Sequence, residues 1–123
     1  MALTVTGFST SALSYKLAHE DNASDSASTD IFGGPGTLHS INFNNNQASN
    51  NAYLKLKITS GTVTVGTTQP DLLFELPAGG ASDVQIAFPA GLSFSQLSFW
   101  VTDAAPYDDT GDPGTVLLTF LCS

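Results

Sequence analysis

Apolar and polar residues alternate along most of this 123-residue chain. Spacing of two between apolar residues is typical of a strand with one buried face. No segment has the helical spacing of apolar residues over three turns. The predicted inward sets are Leu3 and Val5; Leu13, Tyr15 and Leu17; Ile41 and Phe43; Leu54, Leu56 and Ile58; Val63 and Val65; Leu72, Phe74 and Leu76; Val84, Ile86 and Phe88; and Val116, Leu118, Phe120 and Cys122.

Clusters of glycine and proline separate these segments, at 33–36, 77–80, 89–91 and 112–114. Short strands divided by turn residues every 8 to 12 positions are typical of antiparallel sandwiches and barrels. We therefore predict one all-β domain over residues 1–123, an antiparallel β-sandwich or jelly roll of about eight strands. Residues 1–8 are predicted to be a docking arm or an edge strand.

The alternation changes phase once, at Ser95 and Gln96. Leu92 and Phe94 have one parity, and Leu97, Phe99 and Val101 have the other. A β-bulge would place both sets on the core side, and the alternative is a strand that crosses from one sheet to the other at a corner. With either explanation Trp100 faces away from the apolar set, where it needs a cover.

Two segments have no alternation, the acidic segment 20–30 and the asparagine-rich segment 44–51. Asn, Asp and Ser are typical turn and loop residues, so both segments are predicted to be exposed loops. The second could also form the tip of a hairpin between the strand of Ile41 and the strand of Leu54.

The charge balance excludes some functions. The chain has 3 Lys and Arg residues against 11 Asp and Glu, a formal net charge of −8. Proteins that neutralise phosphates need clustered basic residues, so we expect no nucleic-acid partner, and no anionic membrane surface for the same reason. The start of the chain has no basic segment followed by an apolar run, so no signal peptide is expected.

Acidic residues concentrate in the stretch that contains Asp103, Asp108, Asp109 and Asp112. Carboxylates in a flexible loop suit calcium, and this predicts a weak calcium site at Asp108, Asp109 and Asp112. The stretch lacks the full spacing of an EF-hand, and a solvated acidic turn is the simpler interpretation. No other cofactor is expected.

Three aromatic residues, Trp100, Tyr107 and Tyr53, are candidates for recognition. Aromatic rings near acidic and amide groups are common in carbohydrate sites, and Tyr and Trp are also enriched in subunit interfaces. The sequence leaves both interpretations open, together with simple core packing.

The remaining candidates favour structural roles. His19 and Glu20 are adjacent, so on a strand they point to opposite faces and do not converge as an acid–base pair. His39 is predicted to lie at the mouth of the sandwich and to bond to backbone. Cys122 is predicted to be a small buried residue, because no neighbouring cation or helix start is visible to activate its thiol. We expect no enzymatic activity.

The second half of the chain resembles a module found in virion proteins of tailed phages. The resemblance covers about residues 52–121 and rests on segments in a fixed order. These are YLKLK at 53–57, VGTTQPDL at 65–72, LPAGG at 76–80, FPAGLSF at 88–94, SFWVTDAA at 98–105, the Asp-rich loop 108–112 and VLLTFL at 116–121.

The resemblance implies a small sandwich on a phage capsid or tail, and it supplies no catalytic residues. The expected function is a capsid decoration or cement protein, bound to the major capsid protein or another virion protein. A homotrimer or a symmetric array is expected, assembled in the host cytoplasm, with Leu3, Val5 and Phe8 in the docking segment. The alternative is a tail- or fibre-associated domain that binds a host glycan.

Overall fold

The computed structural model describes residues 3–7, 15–47, 49–79 and 84–123, and it forms the predicted antiparallel β-sandwich. The larger sheet has five strands in the order β1-β2-β8-β3-β6, and the smaller has three in the order β5-β4-β7. The strands are β1 (Leu3–Gly7), β2 (Lys16–Glu20), β3 (Gly36–Asn45), β4 (Ala52–Lys57), β5 (Leu72–Leu76), β6 (Val84–Phe94), β7 (Ser98–Thr102) and β8 (Val116–Cys122).

The core lies between the two sheets and is built from the alternating apolar residues. The four predicted residues of β8 are buried, and so are Leu54 and Leu56 of β4. The rings of Phe99 on β7 and Phe120 on β8 lie 4.9 Å apart between centroids and join the two sheets. The inner face of β8 is buried along its whole length because this strand lies in the middle of the larger sheet, between β2 and β3.

The chain changes sheets between β6 and β7. β6 pairs with β3 in the larger sheet, whereas β7 pairs with β4 in the smaller one. The crossing explanation is therefore correct, and a bulge within one strand at Ser95 and Gln96 is wrong. The phase of the alternation reverses because the two sheets face each other across the core, so inward means opposite directions before and after the crossing.

The predicted inward face of β2 is wrong. Leu17 points to the outer side of the sheet, and the buried residues of this strand are Ala18 and Glu20. Pairing of Ala18 with Phe120 of β8 fixes this orientation, because partners in register share a face. Leu13 lies outside the described residues.

Two further local predictions are corrected. Val63 and Val65 lie in a loop rather than a strand, where the N–H groups of Thr67 and Thr68 both donate to the Thr64 carbonyl. The asparagine-rich segment is not a hairpin tip, since β3 and β4 belong to different sheets. The Asn45 side chain is buried and donates to the carbonyls of Asn50 and Leu76. These two hydrogen bonds hold the segment that connects the two sheets in place.

The acidic segment after β2 is not simply an exposed loop. It runs along the outer edge of β7, where Ser28 exchanges two backbone hydrogen bonds with Phe99, and Ile31 donates to Leu97. Ala23 and Ile31 are buried in the core. This segment therefore covers the β7 edge of the smaller sheet.

Candidate functional site

The outer side of the five-stranded sheet carries no charged side chain at the positions where its described residues pair. One transverse row runs across all five strands from Thr4 to Gln85, and a second runs from Thr6 to Ala87. We call this surface the uncharged face. Its residues are Thr4, Thr6, Leu17, His19, Ser40, Asn42, Asn44, Gln85, Ala87, Leu117, Thr119 and Leu121.

The negative charges lie elsewhere. Glu20 is buried inside the sandwich, and the other described carboxylates lie on loops or on the smaller sheet. These other residues are Asp21, Asp25, Asp30, Asp71, Glu75, Asp103, Asp108, Asp109 and Asp112. The molecule is thus divided into an uncharged sheet face and an acidic remainder.

A shallow depression of about 190 Å³ lies in the uncharged face. His19, Asn42 and Thr119 occupy one row of three adjacent strands, and they line it with Phe43, Asn44 and Leu117. His19 Nδ1 and Thr119 Oγ1 are hydrogen-bonded at 2.9 Å, which orients the imidazole. Of these residues only His19 was a candidate from the sequence, and there as half of an acid–base pair rather than as part of a surface site. The available signal was the absence of charge at the polar positions of several alternating strands.

The predicted docking segment is an edge strand of the larger sheet. Leu3 and Val5 belong to β1, which pairs with β2 over five consecutive residues. The side chain of Leu3 packs against the core, whereas Val5 is 45% exposed although it lies on the inner side of the sheet. Phe8 lies outside the described residues.

Trp100 is buried, so of the three interpretations left open by the sequence it fits packing within the chain rather than recognition. It points away from the core between the sheets, as its parity predicted, but it is fully buried within the chain. Its cross-strand partner on β4 is Lys55, which is also fully buried. The loop after β7 passes over this outer side of the smaller sheet, because Lys55 Nζ donates to the Pro106 carbonyl oxygen at 2.6 Å.

The burial of Lys55 has an electrostatic consequence. Desolvation lowers the pKa of its ammonium group, and the nearby carboxylates of Asp109, Asp108 and Asp103 partly oppose this effect. The carboxylates of the acidic loop therefore stabilise the ammonium form of Lys55, a cation of the chain itself.

The acidic loop is organised around two carboxyl groups, those of Asp103 and Asp109. A hydrogen bond between them raises the pKa of Asp103, helped by burial and by the charge of Asp109. Burial opposes ionisation of Asp109, but the bonds from Asp103 and from the N–H groups of Gly111 and Ala104 outweigh it and lower the pKa of Asp109. A Cβ atom at Gly111 would clash with the Asp103 carboxylate, so glycine is needed for this close approach.

This arrangement does not provide the predicted calcium ligands. Within the ranges that the structure describes, no group of three or more His, Cys, Asp or Glu side chains is placed to hold a metal ion. Asp108, Asp109 and Asp112 are among the described residues, so they do not form a ligand set. Asp112 Oδ1 instead accepts a hydrogen bond from the Gly114 N–H at 2.9 Å.

An open polar cleft of about 300 Å³ brings Tyr53 together with two of these acids, Asp103 and Asp112. Ser49, Asn50, Asn51 and Pro113 complete its lining. Tyr107 is not part of the lining and is 44% exposed. The three predicted aromatic residues are therefore not one platform: Trp100 is buried, Tyr107 is on the surface, and Tyr53 alone lines the cleft.

The remaining candidates are dispersed. His19 and Glu20 lie on opposite sides of β2, as expected. His39 bonds through Nε2 to the Ser123 hydroxyl at 2.7 Å and makes a T-shaped contact with the Tyr15 ring, rather than bonding to backbone. Cys122 is buried as predicted, and burial raises the pKa of its thiol to about 11.

No protein-family model matches the chain, and no curated protein matches it. In the described part of the chain, no helix is long and apolar enough to cross a membrane.

Proposed function

We propose that this chain is a non-enzymatic structural protein of a phage virion, a capsid decoration or cement protein that binds through its uncharged face. The observation that carries the proposal is the division of charge. In a chain of net charge −8, one whole sheet face has no Asp, Glu, Lys or Arg side chain at its paired positions. The resemblance over residues 52–121 supports the assignment to a phage particle.

The chemistry of the face suits a protein partner. It combines hydroxyl, amide and imidazole groups with the half-buried side chains of Leu17, Leu117 and Leu121. Interface cores are typically depleted of charged residues, and such a surface can be covered without burying an unpaired charge. The partner surface is proposed to be an uncharged patch of the major capsid protein or another virion protein.

The mechanism is adhesion by shape and by many weak contacts. A single face of this size gives modest affinity, but a symmetric particle offers many equivalent positions at which the same contact forms. Repeated contacts between linked copies raise the overall avidity without any new contact. The acidic loops then remain on the side away from the particle and keep neighbouring copies soluble.

The test is binding of the purified chain to gradient-purified particles of the phage that carries the sequence. An Asn42→Asp variant places one charge in the middle of the uncharged face with almost no change of shape. We expect it to weaken co-sedimentation at least about tenfold, since a buried, unpaired charge costs several kcal/mol. Asn46→Asp, an exposed asparagine just after β3, is the matched control and should bind normally.

Two outcomes would count against the proposal. If the chain is absent from purified particles and does not bind them, it is not a virion component. If Asn42→Asp and Asn46→Asp bind equally well, the chain binds particles through another surface.

A second candidate function is recognition of a host glycan in the Tyr53 cleft. The supporting observation is that an aromatic ring, exposed amides and two carboxylates share one open cleft. Tyr53→Ala should abolish binding on a glycan array, and Tyr107→Ala should leave it unchanged because Tyr107 does not line the cleft. No binding of the unmodified chain on a broad array would remove this candidate.

A further inference from the structure

The two edges of the larger sheet are protected differently. β6 contains Pro89, and its pairing with β3 is interrupted at the step from Leu38 to Ser40, where Gly91 adopts a φ of 76°. Proline and irregularities of this kind are common devices that prevent edge-to-edge association. β1 has neither, because its register with β2 is continuous from Leu3 to Gly7.

β1 also lacks charge, the other common protection of an edge strand. Its sequence is Leu-Thr-Val-Thr-Gly, and among residues 3–7, 15–47, 49–79 and 84–123 it pairs with β2 alone. No described residue therefore pairs with the backbone groups of its outer edge. Val5 is 45% exposed at this edge although it belongs to the inner side of the sheet, so the core is not closed there.

The sequence of β1 is nearly symmetric about Val5. If a second β1 pairs with it in the antiparallel direction, centred on Val5, each Thr4 lies opposite a Thr6 and the two Val5 residues lie opposite each other. Partners in this register share a face, so both threonine pairs lie on the outer side and the valine pair on the inner side. Threonine pairs and pairs of β-branched residues are favourable across antiparallel strands.

We propose that two copies of this chain associate through their β1 strands, around a twofold axis at Val5. Each copy contributes its five-stranded sheet, so the pair forms one continuous sheet. Such an isologous contact uses the same surface on both partners, as twofold dimers do. Repulsion between two chains of charge −8 does not prevent it, because no acidic side chain lies on β1.

The dimer extends the proposed function without depending on it. Joining the sheets through β1 places the two uncharged faces side by side as one surface of twice the width. The pairing is a property of the free chain, so it can be tested without any particle. A contact of five residues is smaller than a standard stable interface, and we expect dissociation constants in the micromolar range or weaker.

The first experiment is sedimentation velocity over a concentration series up to about 1 mM. It compares the parent chain with variants that carry a charged residue on one edge strand of the larger sheet. Val5→Lys places two lysines at the axis and should make the chain monomeric. Val84→Lys is the matched control, since Val84 is 43% exposed on the opposite edge of the same sheet, and it should still dimerise. An equimolar mixture of Val5→Lys and Val5→Glu should restore a dimer, which a folding defect would not allow.

The second experiment is cross-linking through the axis. In a Cys122→Ser background, Val5→Cys should give a disulfide-linked dimer on mild oxidation, because Cα atoms of directly opposed antiparallel residues lie within the range that disulfides span. A chain that stays monomeric at all concentrations, a trimer, or a dimer lost in Val84→Lys but kept in Val5→Lys would each overturn the proposal. Loss of particle binding with an intact dimer would count against the proposed function alone.

Discussion

Lys55 and Trp100 form a buried pair on the side of the smaller sheet that faces away from the core. Parity predicted that Trp100 would point away from the core, but parity describes only the two sides of one strand. It does not show which loop covers a side. The cover here is the loop containing Pro106, which directly follows β7, the strand of Trp100 itself, and accepts a hydrogen bond from Lys55 Nζ. The sequence therefore predicted an outward tryptophan in need of a cover, and the structure supplies that cover as a second, smaller buried layer.

Lys55→Ala should destabilise the chain by about 2 to 4 kcal/mol, because it removes a buried side-chain stem and leaves the Pro106 carbonyl without its partner. Lys57→Ala is the control, since Lys57 lies on the same side of the same strand but bonds to Asp71 in a partly exposed ion pair. It should cost at most about 1 kcal/mol. Urea unfolding followed by the fluorescence of Trp100, the single tryptophan, measures both. Equal losses would show that the Pro106 contact does not hold the loop.

At the scale of the element, the strands were more predictable than their orientations. Alternation located most of the strands. It failed at Val63 and Val65, where only two apolar residues alternate and the local hydrogen bonds to the Thr64 carbonyl form a turn instead. It also gave β2 the wrong inward face, because the more apolar residue Leu17 lies outward while pairing with β8 places Ala18 inward. Hydrophobicity within a short strand is a weaker constraint than the register with its neighbours.

The connection between β4 and β5 depends on one side chain, Asp71. Its carboxylate accepts hydrogen bonds from the Ile58 N–H at 2.8 Å and the Thr59 hydroxyl at 3.0 Å, and it pairs with Lys57 Nζ at 3.3 Å. Burial opposes ionisation, but these partners outweigh it and lower the pKa of Asp71 below its ordinary value of 3.8. The ionised carboxylate thus stabilises the start of β5.

Asp71→Ala should cost about 1 to 2 kcal/mol at pH 7, less than a buried charged bond because the site is partly exposed. Since the pKa is lowered in the folded chain, this stabilisation is present above pH 3.8 and is lost as the pH falls through the lower, folded-state value. Unfolding curves of the parent and the variant should therefore converge in acid. Asp21→Ala, at an exposed position just after β2, is the control and should change the stability at pH 7 by less than about 0.5 kcal/mol.

For the whole molecule, the sandwich could be predicted from the sequence, but the uncharged face could not. Alternation predicts which residues point outward along each strand. The rows of the face combine β1, β2, β3, β6 and β8 in a spatial order that differs from the chain order. Strand order is decided by packing between distant segments, and so the depression around His19 and Thr119 was not predictable from local patterns.

The contact between Phe99 and Phe120 is predicted to dominate the stability of the sandwich. Phe120→Ala should cost about 3 to 5 kcal/mol, because it opens a cavity where the two sheets meet. That is a large fraction of the 5 to 15 kcal/mol typical of a whole domain. Phe88→Ala, at a half-buried ring near the β6 edge, should cost clearly less. Guanidinium unfolding at a constant m-value compares them, and equal losses would mean that the two sheets are not joined mainly at this contact.

The position of β8 also bears on how the chain is made. β8 is synthesised after the other strands that the structure describes, yet it is the central strand of the larger sheet, between β2 and β3. Until it is released, β1 and β2 have no hydrogen-bonded connection to β3 and β6, and the edge of β3 that faces away from β6 lacks its neighbour. The larger sheet therefore forms only once residues 116–122 have been synthesised, and a product that stops before residue 116 leaves its strands exposed to proteases and chaperones. Such incomplete copies would be degraded rather than accumulate as folded protein.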